Sequence, residues 1–354
     1  MQVCEISRAD ITRATVIDAA PRALAPGEVR LAVERFALTA NNVTYAATGE
    51  ALGYWRFFPA GETGAGRLPV WGIGRVIESL GEIPQGERVF GLFPMAEEMI
   101  TSPGRVRDHA WTDQTAHRRD LPPIYNEYFR LAALPGHRAA LEDLMGLLYP
   151  LYATSFVLAD WLADNAWFGA EQIVVGSASS KTAIGFMQLA AEMEGPHLVG
   201  LTSARNLDFV RGLGCGEALT YPEVDALPLR PSLYVDFSGN IAVRRAVHTR
   251  LGAQLLRSVA IGLSHWDKFE QSAEVPGCKP EFFFAPDQVK KRRAEWGPGV
   301  VEGRIMEAWR RLAAERTGWL SLTHHRGLAA AVQTYAHLAA GETRPAEGHV
   351  VTLD

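Results

Sequence analysis

Cysteine is scarce in this chain, and no long hydrophobic run or excess of positive charge is present. The 354 residues include only Cys4, Cys215 and Cys278, which stand far apart and form no C-x-x-C pair. That distribution argues against a disulfide framework and against a cysteine-based zinc site. No apolar run reaches the roughly 18 residues that cross a bilayer, and the first residues lack the pattern of a secretory signal. We therefore expect a cytoplasmic, metal-free protein without a membrane partner.

The charge balance excludes a second class of protein. The chain has 35 Lys and Arg against 40 Asp and Glu, a formal net charge of -5 at pH 7. Proteins that bind nucleic acid usually show a basic excess or a basic stripe. The densest basic run, residues 290–293, stands beside acidic residues on a helical pattern that is typical of a solvated helix face. We expect no nucleic-acid partner.

Two patterns of secondary structure divide the chain into domains. Residues 1–150 contain several short strands broken by Gly and Pro, which predict a small barrel-like β domain, with a partly helical insertion at about 102–148. Strands and helices alternate over residues 151–286, which predicts βαβ units and a doubly wound parallel sheet. Residues 287–354 are predicted as a helical segment and a final strand that returns to the first domain. The predicted fold class is α/β.

The turn after the first strand of the alternating region carries the clearest functional signal. A dinucleotide-binding fold places a Gly-rich turn here, so that the backbone and a helix N-terminus meet a pyrophosphate. This turn is small and hydroxylic but begins with its only glycine, Gly176. The residues predicted to bind a cofactor here are Ser177, Ala178, Ser179, Ser180, Lys181 and Thr182. The alternative is a plain strand-to-helix turn with Ser180 as the N-cap.

A P-loop is a further alternative at the same turn. Lys181 and Thr182 fit the end of that motif, and residues 232–236 look like a strand that ends in a magnesium-binding Asp. Both glycines that the motif requires are missing, at Val175 and Ser180. A nucleotide hydrolase is therefore the weaker reading of this turn.

The end of the next strand indicates the type of dinucleotide. NAD enzymes usually carry Asp or Glu there for the ribose 2′-hydroxyl, whereas NADP enzymes carry a cation and hydroxyls. Residues 201–206 contain no acid. Ser203 and Arg205 are predicted to hold a 2′-phosphate, and the predicted cofactor is NADP(H). The alternative is that Ser203 caps a helix and Arg205 is solvated.

Several segments in order along the chain carry a family resemblance. Residues 38–49 resemble an active-site segment N-x-x-D…G, residues 72–76 and 86–91 resemble G-x-G-x-V…G-D-x-V-x-G, and residues 341–353 resemble a final strand. Over its whole length the chain resembles the medium-chain dehydrogenase/reductase superfamily, in its zinc-free quinone oxidoreductase and enoyl reductase branch. The turn at residues 177–182 suggests a separate subfamily. The resemblance implies a GroES-like β-barrel domain and a Rossmann-type domain.

The same resemblance implies an activity and an assembly. The expected reaction is the NADPH-dependent reduction of an activated C=C or C=O in a small-molecule substrate. The expected assembly is a homodimer joined through sheet edges of the cofactor domain. No Cys or His matches the zinc-ligand positions of the alcohol dehydrogenases, so zinc-assisted hydride transfer is not expected. The alternative is a non-catalytic NADPH-binding protein that retains the fold.

A reductase without a metal needs a group that donates a proton or a hydrogen bond to the substrate. Tyr45, which stands where the family often has Asp, is the first candidate, and Tyr54 is the second. Asn42 is predicted to hydrogen-bond nicotinamide, ribose or substrate. Ser238 and Gly239, in the turn after the fourth strand, are predicted to touch the nicotinamide side. The alternative for Tyr45 is a core aromatic of the β domain.

Overall fold

The computed structural model describes residues 1–62, 64–134, 137–261, 275–297, 299–315, 317–342 and 344–353. The chain divides into two compact units. The first unit comprises Met1–Pro150 and Leu320–Asp354, and the second comprises Leu151–Trp319.

The first part of the first unit is rich in β-strands, as the sequence predicts. Its strands are β1 (Gln2–Ser7), β2 (Ala14–Asp18), β3 (Val29–Leu38), β4 (Ala65–Gly66), β5 (Pro69–Ser79), β6 (Arg88–Pro94), β7 (Glu98–Thr101), β8 (Pro103–Gly104), β9 (Ala110–Asp113) and β10 (Glu127–Arg130). Helix α1 (Ala40–Ala47) follows β3, and helix α2 (Glu142–Asp164) contains Pro150, where the two units divide. Short 3-10 turns cover Tyr54–Arg56 and Pro123–Tyr125.

The second unit alternates strands and helices. Its elements are β11 (Gln172–Gly176), α3 (Lys181–Glu192), β12 (His197–Thr202), α4 (Leu207–Gly212), β13 (Glu217–Thr220), β14 (Ser232–Asp236), α5 (Ile241–Leu251), β15 (Leu255–Ala260), β16 (Glu281–Phe282), α6 (Ala285–Trp296) and α7 (Val300–Glu315). The chain then re-enters the first unit with β17 (Ser321–Arg326), α8 (Gly327–Ala339) and β18 (Glu347–Thr352).

The strands of the first unit form two sheets. The larger has the order β17-β18-β3-β5-β6-β10-β9-β8, with β7 also paired to β3, and β2-β1-β4 form the smaller. All pairs are antiparallel except β17 with β18. Because β18 pairs with β3, the end of the chain is part of the larger sheet. Within the described ranges, no helix has both the length and the apolar character needed to cross a bilayer.

The segment at 102–148 contains more strand than the sequence indicates. Besides short 3-10 turns and the start of α2, it supplies β8, β9 and β10, which extend the larger sheet from β6. Trp111 and Tyr128 face each other across β9 and β10, with ring centroids 4.4 Å apart and both side chains buried. Strands of two to four residues are too short to show a clear alternation, so this pairing is visible only in the folded chain.

The second unit confirms the doubly wound parallel sheet. Its strand order is β13-β12-β11-β14-β15-β16, and every neighbouring pair is parallel. The β-branched run Ile173–Val175 explains the central position of β11, since all residues of this strand are buried. The apolar run from Gln254 to Leu263 predicts a strand, and β15 is observed within it; residues 262 and 263 lie outside the described residues.

A buried ion pair fastens α5 to the sheet. Arg244 Nε and Nη2 donate to Asp236 Oδ2 at 2.9 and 2.8 Å, and both side chains are almost completely buried. Apolar side chains from the sheet and from α5 pack beside the pair, among them Tyr234 and Val247. A buried carboxylate is tolerated only when it is paired and hydrogen-bonded.

We predict that Arg244→Met lowers the free energy of unfolding by about 3–5 kcal/mol, because it leaves the Asp236 charge buried without its cation. Arg245 is the matched control. It is the next residue on α5 and is exposed, so Arg245→Met should change stability by less than about 0.5 kcal/mol. Urea unfolding followed by circular dichroism measures both. Equal losses in the two variants would contradict the role given to the pair.

Candidate functional site

The carboxyl ends of three neighbouring strands bring the predicted cofactor residues together. Gly176 at the end of β11 pairs with Leu201 of β12 on one side and with Asp236 of β14 on the other. The chain runs outward from β11 through β12 and β13, then returns to the other side of β11 as β14. Open α/β sheets bind ligands in the crevice at such a reversal of strand order. The turns after β11, β12 and β14, together with the first two residues of α3, contain all the residues predicted for the cofactor.

The turn after β11 has the backbone of a glycine turn although it is rich in serine. A Cβ atom on Gly176 would lie 2.7 Å from Tyr234 Oη, so a larger residue there would have to displace the tyrosine side chain. Ser177, which replaces a glycine of the family fingerprint, has a φ of +55°, a left-handed conformation that non-glycine residues seldom adopt. Its side chain lies near Tyr221, whose pKa is raised mainly by burial.

The hydroxyl of Ser179 is arranged to donate a hydrogen bond. Thr202 Oγ1 and Asn206 Nδ2 donate to Ser179 Oγ at 3.2 and 3.1 Å. These two bonds use the acceptor capacity of the oxygen, and the Ser179 proton remains to be donated. A group that only accepts, such as a phosphate oxygen, fits this position.

The start of α3 combines a cap with a cation. Ser180 Oγ accepts from the backbone N–H of Ala183 at 3.3 Å, so Ser180 is the N-cap, as the alternative interpretation states. Lys181 is the first residue of α3, where the positive end of the helix dipole disfavours a cation. An anion bound at this end would offset the unfavourable interaction between the Lys181 charge and the helix dipole. The Thr182 carbonyl accepts from Ser155 Oγ at 2.7 Å, which fixes the helix start to α2.

Ala178 has a packing role within the same turn. Its side chain is fully buried, and its N–H donates to the Leu201 carbonyl at 3.0 Å. A Cβ on Gly200 would lie 2.8 Å from the Ala178 Cβ. The turn therefore packs tightly against β12, and small residues are required on both sides of this contact.

The turn after β12 carries the two residues predicted to hold a 2′-phosphate, Ser203 and Arg205. Ser203 makes no capping hydrogen bond to the 3-10 turn that follows it, so the alternative role of Ser203 as a cap is not observed. Arg205 is exposed, and in the part of the chain that the structure describes no acidic side chain pairs with it. A hydroxyl and a guanidinium thus lie at the strand end where the adenosine ribose binds in dinucleotide folds.

The turn after β14 donates hydrogen bonds to a buried carboxylate. Asp236 Oδ1 accepts from the N–H and the hydroxyl of Ser238, at 2.9 and 2.7 Å, and from the Gly239 N–H at 3.0 Å. These donors of Ser238 and Gly239 are bonded to Asp236, and the contact of the two residues with the nicotinamide side stays a prediction. Because Arg244 occupies the other oxygen of Asp236, this carboxylate does not serve as the magnesium ligand that a P-loop hydrolase needs.

Asn42 requires a correction. Its Oδ1 accepts from the backbone N–H of Thr39 at 2.8 Å, within the capping box of α1. Its Nδ2 donates to the Pro69 carbonyl at 3.1 Å. The side chain is buried and bonded to the backbone at both ends, so it holds α1 against β5 rather than a ligand.

Tyr45 and Tyr54 belong to one aromatic cluster in the first unit, which we define as Tyr45, Tyr54, Trp71 and Tyr125. The rings of Tyr45 and Tyr54 stack with centroids 4.3 Å apart. Tyr45 is only 5% exposed and its oxygen accepts from Trp71 Nε1 at 3.2 Å. Burial raises the pKa of Tyr45 and that of Tyr54 above the usual range, so both phenols are neutral at physiological pH.

Tyr125 is a member of this cluster that sequence reasoning missed. Its hydroxyl oxygen lies 3.1 Å from that of Tyr54, and the two rings meet edge to face with centroids 5.8 Å apart. Tyr125 is 71 residues further along the chain than Tyr54. The only sequence signal was the aromatic content of the 102–148 segment.

No metal centre is found in this structure's described ranges. Among those residues, no group of three or more His, Cys, Asp or Glu side chains is placed to hold a metal ion.

Comparisons with known proteins agree with this architecture. The sequence profile of the family described as "Protein of unknown function (DUF2855)" matches residues 36–344. No curated protein matches the chain in sequence. The chain is similar to the solved structure of CurA in complex with NADPH from Vibrio vulnificus, with a TM-score of 0.63, 15% identity, and coverage of 100% of this chain and 99% of that chain.

Two further solved structures are similar over the whole length. The quinone oxidoreductase from Coxiella burnetii has a TM-score of 0.59 and 14% identity, covering 100% of this chain and 99% of that chain. The yhdH oxidoreductase from Salmonella enterica in complex with NADP has a TM-score of 0.57 and 15% identity, covering 100% of both chains. This likeness confirms the predicted fold, with a mainly antiparallel sheet in one unit and a parallel sheet in the other.

The contact between Gly176 and Tyr234 yields a prediction about the turn. Gly176→Ala should lower the free energy of unfolding by about 1–3 kcal/mol through overpacking. In a Tyr234→Phe background the nearest atom, Tyr234 Oη, is gone and the next ring carbons lie 3.2 Å from the new Cβ. The same substitution should then cost less than about 1 kcal/mol, a coupling that a double-mutant cycle in urea detects. An equal cost in both backgrounds would show that the hydroxyl does not limit the turn.

Proposed function

The chain belongs to the DUF2855 family, and from its site we propose that it is a zinc-independent, NADPH-dependent oxidoreductase that reduces an activated C=C or C=O in a small molecule. One observation carries the proposal: a turn with a donating hydroxyl and a helix N-terminus lies where the strand order reverses in the parallel sheet. Solved structures of the same fold include complexes with NADPH and NADP.

The residues of the second unit fit a phosphorylated dinucleotide. The left-handed Ser177 allows the backbone to approach a ligand closely, and the Ser179 hydroxyl would donate to a pyrophosphate oxygen. Lys181 at the start of α3 would add a positive charge. Ser203 and Arg205 would hold the 2′-phosphate. The bound cofactor would supply the hydride for the reduction.

The choice of NADPH over NADH follows from the end of β12. An acid at this position would accept from the 2′-hydroxyl of NADH and repel the 2′-phosphate of NADPH. The chain has no acid in residues 202–206. Thr202 and Asn206 are engaged with Ser179, which leaves Ser203 and Arg205 to contact this end of the cofactor.

The proton for the substrate comes, in this proposal, from the aromatic cluster. Tyr45 and Tyr54 keep their protons at neutral pH because burial raises their pKa, as a general acid requires. Tyr54 is the more exposed of the two, whereas Tyr45 lies beneath it and is bonded to Trp71. We therefore propose that Tyr45 supports the stacked pair of rings and that the proton donor lies on the Tyr54 side of this pair.

A homodimer and a cytoplasmic location stay predictions from the sequence.

We predict that NADPH binds more tightly than NADH by at least ~1.4 kcal/mol, a factor of about ten. Arg205→Ala should weaken NADPH much more than NADH, because it removes a charge from the 2′-phosphate. Arg211→Ala is the control, since Arg211 is exposed in the last turn of α4. Titration of the fluorescence of the nine tryptophans measures these affinities. Equal affinities for the two cofactors would exclude the assignment of Ser203 and Arg205.

Turnover separates the enzyme from a protein that only binds cofactor. We expect the purified protein to oxidise NADPH with at least one member of a panel of enones, quinones and enoyl thioesters, as followed at 340 nm. The rate should be unchanged by EDTA, and elemental analysis should find less than stoichiometric zinc. Saturable NADPH binding without oxidation by any acceptor would favour the non-catalytic alternative. One zinc per chain would overturn the metal-free reaction.

A further inference from the structure

The first unit contains a cavity of about 510 Å³. It is lined by residues of β1, β2, β3, β6, β7 and β9 and of three connections, within residues 19–22, 58–62 and 115–118. Among the described residues that line it, none belongs to the aromatic cluster or to the proposed cofactor site. The volume of this cavity is in the range of pockets that bind small molecules.

The cavity has a buried floor and an exposed mouth. Val3 and Glu5 lie on the same face of β1, because side chains alternate along a strand, and both are buried. Ala96, which pairs with Val3 in a β-bridge, is also buried and completes the floor. Ala20 and Gly61 line the same cavity but are exposed. A ligand can therefore enter from the exposed side and reach the floor.

Glu5 gives this floor a chemical preference. Its side chain is only 6% exposed. Arg67 Nε and Nη2 both contact a single oxygen, Glu5 Oε1, at 3.1 Å. The other oxygen, Oε2, has no hydrogen-bond partner among the described residues, and it keeps some contact with open space. A carboxylate oxygen at a buried floor is stabilised by a hydrogen-bond donor, which a ligand in the cavity can supply.

The arginines that line the cavity are paired with carboxylates. Their partners are Glu28 for Arg22, Glu78 and Glu98 for Arg30, Glu5 for Arg67, and Asp113 for Arg118. The Met1 ammonium donates to the Ala19 carbonyl at 3.2 Å. Arg67 Nη1 has no partner in the described ranges, but the charge of this guanidinium is used by Glu5 through its other two nitrogens.

Several carboxylate oxygens of the lining are still available as acceptors. Glu98 accepts from Arg30 through Oε2 at 3.2 Å, and its Oε1 has no partner within the part of the chain that the structure describes. The Glu62 carboxylate, at the exposed mouth, forms no hydrogen bond or ion pair with any described side chain. Together with Glu5 Oε2, these oxygens suit a ligand with several N–H donors. An ammonium group has three donors and the matching charge.

Apolar side chains form another part of the lining. Val3 and Ala96 lie at the floor, and Phe58 and Met99 line the cavity beside them. All four are at most 6% exposed. Pockets of this kind, mainly apolar with a few placed polar groups, bind molecules that have an apolar body and a polar end.

We propose that this cavity binds a small organic amine in its protonated form, with the ammonium group on Glu5 Oε2 and the apolar body against Phe58 and Met99. The ammonium donates to the buried carboxylate, and the negative charges of Glu98 and Glu62 favour a cation in the same space. Binding is noncovalent. The site belongs to the first unit alone and does not depend on the proposed oxidoreductase function.

Three probes that share a phenyl body test the preference for an ammonium group: 2-phenylethylamine, 2-phenylethanol and 3-phenylpropionate. Isothermal titration calorimetry of the full-length protein at neutral pH measures their affinities. We expect one 2-phenylethylamine to bind per chain, at least about tenfold more tightly than the alcohol, because charge-assisted hydrogen bonds are stronger than neutral ones. The carboxylate probe should bind more weakly than the alcohol, because its charge repels that of Glu5.

Glu5→Gln removes the charge at the floor and keeps the size of the side chain. It should weaken 2-phenylethylamine by at least about tenfold and change the affinity for 2-phenylethanol by less than about threefold. Glu50→Gln is the matched control. Glu50 forms an ion pair with Arg8 at 2.9 Å in the same unit and is not among the described residues of the lining. This control should bind both probes as the unmodified protein does.

A second pair of variants tests the cavity without disturbing an ion pair. Ala20→Trp places a large ring at the exposed mouth and should weaken the amine and the alcohol alike. Ala25→Trp is its control, because Ala25 is exposed on the same connection between β2 and β3 but lies outside the described lining. Thermal melting shows whether each variant is folded, and Ala20→Trp keeps the test decisive if Glu5→Gln is not.

Four results would overturn the proposal. Equal affinities for the amine and the alcohol, or an unchanged affinity for the amine in Glu5→Gln, would exclude recognition of the ammonium by this carboxylate. Tightest binding of 3-phenylpropionate would show that Arg67 sets the charge of the ligand. An unchanged affinity for the amine in Ala20→Trp would place the amine elsewhere, and no binding of any probe would leave the cavity to water. None of these results bears on NADPH oxidation, so the oxidoreductase function is tested separately.

Discussion

Asp236 is a carboxylate removed from water at the end of β14, and its need for hydrogen bonds organises the edge of the sheet. Arg244 from α5 supplies its counter-charge, and the turn at Ser238 and Gly239 supplies backbone and hydroxyl donors. Asp236 pairs directly with Gly176, the last residue of β11, across the strands. The same contacts therefore fix the position of the end of β11. The turn at residues 177–182 begins at that point, so its position depends on this buried, paired charge.

The serine-rich turn shows how a glycine fingerprint can be replaced. A glycine turn provides left-handed backbone and room for a pyrophosphate. Here Ser177 retains the left-handed conformation, and Gly176 remains where Tyr234 leaves no space for a side chain. Hydroxyls stand where glycine hydrogens would be, and Ser179 is oriented by Thr202 and Asn206. Serine in place of glycine fills space beside the backbone but adds hydroxyl groups that can donate hydrogen bonds. Such donors suit a phosphate ligand.

The elements of the second unit could be predicted from sequence because their signals are local. Each strand is a short apolar run bounded by turn residues, and the helical pattern of residues 241–251 coincides with α5. The turn that we propose for the cofactor is recognised by its place after the first of these strands. Roles that depend on distant partners could not be predicted: Asn42 is committed to Thr39 and Pro69, and Tyr125 meets Tyr54 only after folding. Spacing alone did not show that those polar atoms were already bonded.

A crystal structure of the protein grown with NADPH tests the central claim most directly, namely that the carboxyl edge of the parallel sheet binds this cofactor. We expect continuous density for one dinucleotide per chain, with its pyrophosphate against residues 177–181 and its 2′-phosphate within hydrogen-bond distance of Ser203 and Arg205. Density for the cofactor at another place in the fold, or an empty edge at saturating NADPH, would contradict the claim.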